Sequence, residues 1–159
     1  MITEAVATDL PALAHLMADS DLLRRYRVTE ASASGWLSEA FAAGDGLIIH
    51  RLAAVTGFAC VTYAPRILNG AAYLRLLLVS AAARSSGVGS RLLEAVEVRA
   101  REHANHVYLL VTTDNSGARR FYERHGYRHV GDLPGLVWPD LDEALYYKTM
   151  RTHTVAVEG

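Results

Sequence analysis

Apolar side chains recur every third or fourth position in two early stretches and at closer spacing later on, and this change of period divides the chain. Leu10, Leu13, Leu16 and Met17 predict a helix opened by Thr8 or Asp9, with Pro11 tolerated in its first turn. Met1–Ala5 predicts a short strand before it. Trp36, Leu37, Ala40 and Phe41 predict a second helix, starting at Thr29 or Ser32 and ended by Gly44 and Gly46. Leu47–Leu52 and Val55–Tyr63 are rich in β-branched and aromatic residues and are joined by a short link, as in a hairpin. After a loop at Pro65–Gly70 comes a strand, Tyr73–Val79. Its unbroken run Leu76-Leu77-Leu78-Val79 suits a central strand covered on both faces. A helix over Gly87–His103, a strand over Val107–Val111 and a short helix over Ser116–His125, closed by Gly126, follow. Tyr127–Gly131 and Ala144–Met150 read as two last strands, separated by a loop holding Pro134, Trp138 and Pro139.

This order implies an α+β fold. The segment Tyr73–Val111 is a strand-helix-strand unit, which makes its two strands parallel neighbours if they share a sheet. The flanking hairpins then give a mixed central sheet of about six to seven strands, flanked by about four helices. Residues 1–151 form one domain on this reading, and 152–159 form a flexible tail.

Two stretches carry candidate chemistry. The first is Arg84-Ser85-Ser86-Gly87-Val88-Gly89, between the apolar strand and the long helix. Backbone N–H groups at such a turn can cradle phosphates, because the helix dipole favours an anion and missing side chains let it approach. The same glycines can also serve only to relieve crowding. No Gly-Lys-Ser/Thr follows, and the three-glycine dinucleotide spacing is absent. The second stretch is Asn115, then Phe121-Tyr122 in the short helix, then Gly126-Tyr127.

Together these segments resemble the GNAT superfamily of N-acetyltransferases. Its acetyl-CoA signature, Arg/Gln-x-x-Gly-x-Gly/Ala, matches Arg84, Gly87 and Gly89, and its following Asn…Phe-Tyr…Gly-Phe/Tyr segment matches Asn115, Phe121-Tyr122 and Gly126-Tyr127. The element order extends the resemblance over nearly the whole chain. Ala81 and Ser85 depart from the proline and glycine common in the family, and neither change removes an amide.

The resemblance implies that the amides of Arg84, Ser85, Ser86, Gly87, Val88, Gly89 and Ser90 hold the pyrophosphate of acetyl-CoA. The backbone near Leu78 and Val79 would pair with the pantetheine arm, which requires the two parallel strands to splay. Asn115 would contact that arm or cap the short helix. The Tyr122 phenol would protonate the departing thiolate, and the Val79 N–H would meet the developing oxyanion. The glutamate base of the histone-acetylating branch has no counterpart: Tyr73 stands there, as a water relay or as a structural residue. Arg75, two residues on, pairs with a carboxylate of the protein or of the substrate. Tyr26, Glu30 and Trp138 fall in segments that line the acceptor site in this fold, and His50, His106 and Asp114 are further candidates. The activity implied is acetyl transfer from acetyl-CoA to a primary amine by direct attack, on a small molecule or peptide. A silent CoA-binding domain, another acyl donor and a protein amine are the alternatives.

Composition narrows this further. A net charge of −1 argues against a nucleic-acid partner. Arg24, Arg25 and Arg27 form a local cluster that reads as a solvated face rather than an anion site. Cys60 is the single cysteine, which leaves no internal disulfide or cysteine-based zinc site, and the histidine spacing predicts no metal. Cys60 lies within a hairpin strand and reads as packing. No apolar run reaches membrane-spanning length, so a cytoplasmic protein, alone or as a homodimer, is expected.

Overall fold

The computed structural model of the protein describes residues 1–63 and 68–150. Among the described residues, seven strands form one mixed sheet: β1 (Ile2–Glu4), β2 (Gly46–Arg51), β3 (Val55–Thr62), β4 (Ala72–Val79), β5 (His106–Thr112), β6 (Arg128–Trp138) and β7 (Leu141–Thr149). Their order across the sheet is β1-β2-β3-β4-β5-β7-β6. Five α-helices accompany them among the described residues: α1 (Leu10–Ala18), α2 (Asp21–Arg25), α3 (Glu30–Ala42), α4 (Val88–His103) and α5 (Ser116–Arg124). The expected parallel pair is β4 and β5; every other pairing is antiparallel.

Each face of the sheet buries a separate apolar layer. On one face, Leu92, Leu93 and Val96 of α4 are fully buried against Ala59, Val61 and Leu109, and Tyr122 of α5 joins them. On the other, Leu13 of α1 and Leu37 of α3 close over Ile49, Phe58 and Cys60. Each such leucine contributes about 1.5–3 kcal/mol of transfer free energy. Thr29 caps α3 as expected, its hydroxyl accepting from the Ser32 amide at 3.1 Å.

Two predicted features differ. Residues 21–25 form the short helix α2, capped by Ser20, where the sequence pattern carries no periodic signal. The segment read as a loop between Gly131 and Ala144 is a long hairpin of β6 and β7, turning at Pro139 and Asp140. β6 is an edge strand, mostly exposed, so it tolerates Pro134 and offers no buried face to reveal it in the sequence. The expected tail at 152–159 lies outside the described residues.

One irregularity positions the site. In the β3–β4 ladder Cys60 pairs with Leu76 but Val61 with Leu74, so Arg75 is an extra residue on β4. Such a bulge bends its strand and increases the local twist. β4 is in register with β5 only at Ala72, Tyr73 and Leu74, and beyond the bulge the parallel strands part.

Candidate active site

The parting strands open a cleft with two lobes. The ladder bond from Ser80 N–H to Thr56 O, 2.8 Å, turns Ser80 toward β3. By alternation, Leu78 faces β3 as well, and Leu77 and Val79 direct their N–H and C=O groups at the gap. The open edge is therefore offered by Leu77 and Val79, while the Leu78 side chain packs into the layer beneath α1 and α3.

The first lobe, about 950 Å³, follows this edge to the start of α4. Ser85 and Gly87 both have positive φ, 62° and 80°, folding the chain into a concave turn of amides. Gly87 is the N-cap of α4 and supplies no side-chain acceptor; Arg91 N–H makes the bond to Gly87 O. The amides of Val88, Gly89 and Ser90 precede it and have no intrahelical acceptor. A Cβ on Gly87 would meet nothing within 4 Å, so this glycine answers the backbone conformation. A Cβ on Gly89 would meet the Phe121 ring at 3.5 Å, an ordinary van der Waals contact, so packing does not demand glycine there. Arg84, Ser85, Gly87, Gly89 and Ser90 line the lobe. Val88 points into the core, and the Ser86 hydroxyl turns back to Ala83 O, so these two offer only backbone. Phe121 of the Phe-Tyr pair also lines the lobe, as does Arg124, which the sequence reading missed.

The second lobe, about 550 Å³, lies between α2, α3 and the splayed strands. Its walls are largely apolar, from Met17, Leu22, Trp36, Leu76, Leu110 and Val137. Tyr26, Tyr73 and Arg75 also line it. Arg75 is paired with a carboxylate of the protein, Asp45, at 2.6 Å, and its guanidinium lies 4.5 Å from the Trp36 ring centre. Tyr73 stacks on Tyr108, ring centres 4.7 Å apart. Burial pushes its phenol pKa up, which favours a structural tyrosine over a proton acceptor.

Glu30 and Trp138 do not line the lobe. Glu30 is exposed beside His15, 3.7 Å away. Trp138 donates its indole N–H to Tyr26 O at 3.3 Å and carries Arg27 over its ring, so it fastens the segment after α2 to the β6–β7 hairpin. The arginine cluster is likewise tied down: Arg24 pairs with Asp21 and Arg25 with Asp114. His50 is buried with Nδ1 against Thr56 Oγ1, and His106 bonds Tyr147, both away from the cleft.

Tyr122, Asn115, Ala118, Leu22 and Leu77 line both lobes. Tyr122 is 8% exposed, its ring held edge-on by Phe121 and Tyr127 at 5.1 and 5.7 Å. Burial pushes its phenol pKa well up, so it carries its proton at neutral pH. Asn115 Oδ1 caps α5 by accepting from Ala118 N–H at 3.1 Å. Cys60 is buried on β3 beneath α1 and α3, and burial pushes its thiol up to about 12, so no thiolate is available.

Glu143 on β7 is the residue the sequence reading did not single out. It is 3% exposed and lines the second lobe. Tyr26 donates a short hydrogen bond to its Oε1, and the Tyr26 oxygen lies 2.6 Å from Thr112 Oγ1. Burial raises the carboxyl pKa, and both burial and the Glu143 bond push the Tyr26 phenol up to about 12.

The profile of the acetyltransferase (GNAT) family matches residues 14–127. A blasticidin-S acetyltransferase of Streptomyces morookaense is 42% identical over 62 residues, covering 39% of this chain and 46% of that protein. Ard1 of Thermoplasma volcanium superposes with a TM-score of 0.78 at 25% identity, over 96% of this chain and 98% of that one. The structure of yncA from Salmonella typhimurium with its cofactor acetyl-CoA superposes with a TM-score of 0.75 at 15% identity, over 97% and 95% of the two chains.

Proposed function

Because the chain belongs to the GNAT acetyltransferase family, we propose that it moves the acetyl group of acetyl-CoA to a primary amine of a small molecule, by direct attack with both substrates bound. One observation carries this reading: the protonated, buried phenol of Tyr122 lies where the two lobes meet. A thioester in the first lobe and an amine in the second would converge on it.

The first lobe fits a phosphate-bearing thioester. Its unpaired amides at Val88, Gly89 and Ser90 suit the pyrophosphate, and Arg84 and Arg124 flank it with positive charge. The edge groups of Leu77 and Val79 suit an amide-bearing arm laid alongside as an added strand. The bound thioester supplies the acyl carbon. Val79 N–H then faces the carbonyl oxygen as it gains charge, and Tyr122 gives its proton to the sulfur as the C–S bond breaks. The absence of an available thiolate at Cys60 supports direct attack over an acyl-enzyme.

Release of free thiol from acetyl-CoA, followed with an amine panel that includes blasticidin S, tests the reading. Tyr122→Phe should lower kcat about 10²–10⁴-fold and leave acetyl-CoA affinity within a few-fold. Tight cofactor binding with no turnover on any amine would instead indicate a silent CoA-binding domain.

A further inference from the structure

We propose that Glu143 is the anchor for the acceptor's ammonium group and takes its proton, and that the acceptors are compact monocationic amines with an apolar body. This rests on the acetyltransferase reading for its chemistry, though not for its charge argument.

The argument begins with what the other buried carboxylates do. Asp9 pairs with Arg51, Asp45 with Arg75, and Glu97 with Lys148 at 2.8 Å and Arg101 at 3.9 Å. Glu143 is as buried as any of these and has no ion pair among the described residues. A buried carboxylate without a cation is costly. The Tyr26 bond satisfies one oxygen in part, and the cation that acts on it from the rim, Arg25, is already paired with Asp114 at 2.8 Å. The missing partner is a cation that enters the second lobe.

The same lobe states what that cation must look like. The charge of Arg75 is already neutralised by Asp45 and its face is stacked on Trp36, so the lobe has one uncompensated charge, and it is negative. Leu22, Leu76, Leu110 and Val137 supply the remaining contact, which favours an apolar body. A polycation would leave further charges against these walls.

The chemistry balances. An alkyl ammonium of pKa near 10 is about one part in a thousand neutral at pH 7, so a proton must leave before attack. It passes to Glu143. The freed nitrogen forms the C–N bond to the thioester carbon, and the C–S bond breaks. The second nitrogen proton replaces the one Tyr122 gives to sulfur, and Glu143 returns its proton to solvent. The products are the amide, the thiol and one proton.

Tyr26, Thr112 and Tyr73 face the carboxyl from the C-cap of α2, from β5 and from β4, while Arg25, Asp114 and Asp142 act on it from the rim. Burial holds its pKa above the usual carboxylate range, so the acid limb of kcat/KM should lie above that range too.

Calorimetry with CoA present, using phenethylamine against phenethyl alcohol, tests the anchor without relying on turnover. The wild type should bind the amine at least tenfold more tightly, and Glu143→Gln should erase that preference. In thiol-release assays the same variant should lose at least 100-fold in kcat/KM and lose the acid limb, while acetyl-CoA affinity is unchanged. Spermidine should be a poorer acceptor than phenethylamine. If the wild type binds amine and alcohol equally, or a folded Glu143→Gln keeps its preference and its acid limb, the proposal fails, whatever the turnover. If the amine preference holds and no acyl transfer occurs, the anchor stands and the transferase reading falls. The amine–alcohol comparison needs only wild-type protein, so it decides even if the variant does not fold.

Discussion

Gly87 separates conformational from electrostatic demands on the amide turn before α4, through two substitutions. Its φ is 80°, and a Cβ there meets nothing within 4 Å. Alanine therefore brings no clash, only the left-handed penalty of roughly 1–2 kcal/mol. For a chain of this size that lowers Tm by about 2–8 °C. The penalty applies with or without ligand, so acetyl-CoA affinity should fall less than about tenfold. Glutamate carries the same backbone penalty and adds a carboxylate beside the unpaired amides of Val88–Ser90. A unit charge about 6 Å from a phosphate charge, at an effective dielectric of about 20, costs about 2.8 kcal/mol, or about 100-fold. That carboxylate can itself accept from the free amides, so Gly87→Glu should melt no lower than Gly87→Ala. Titration calorimetry with acetyl-CoA at two salt concentrations, beside thermal melts, supplies every number needed. The gap between the variants should be near 100-fold and should shrink with salt. Should Gly87→Glu bind acetyl-CoA within threefold of Gly87→Ala, the amide turn does not hold the pyrophosphate.

Two further predictions concern stability. Glu143→Gln should raise Tm, since it removes an unpaired buried charge, whereas Glu97→Gln should lower it by breaking the pair with Lys148; thermal melts at pH 7 compare them. The folded pKa of Glu143 lies above its usual 4.5, so its contribution is fully present below that value and is lost as pH rises through the raised pKa. The advantage of Glu143→Gln in denaturant titrations should therefore grow across that window and vanish in acid. Gly57→Ala places a Cβ 2.7 Å from Leu78 O, where backbone must move, and should cost about 1–3 kcal/mol and loosen acetyl-CoA binding together, measured by urea melts and calorimetry.

What the sequence disclosed follows the range of the interactions involved. The amide turn before α4 and the Asn115–Tyr122 segment are local: glycines, a cap and a short helix lie within a few residues of one another, so their spacing survives in the linear order. The splay could be anticipated only through a family resemblance, because its cause is a register shift between two strands. Glu143 was invisible for a related reason. It follows Asp140 and Asp142, and only the pairing of β7 with β5 turns it inward while Asp142 stays exposed. The edge strand β6 lacks the alternation that marks a half-buried strand and holds Pro134 and Gly135, so it reads as loop. Glu30 and Trp138 were chosen by segment, which does not fix a side chain's direction: the second lobe is lined by their neighbours Ser32, Trp36 and Val137, and Trp138 instead secures Tyr26.

The parting of β4 from β5 leaves unpaired backbone in the middle of a sheet. Exposed strand edges invite a neighbouring chain to add a strand, which is a route to aggregation. Here the edge is an interior one. Leu22 and Arg25 of α2 stand on one side of the groove, and Ala118 and Phe121 of α5 on the other. A thin, flexible arm can thread that slot, whereas a second polypeptide with side chains on both faces cannot lie down in it. The fold thus keeps a sticky edge available to a slender ligand while hiding it from the rest of the proteome.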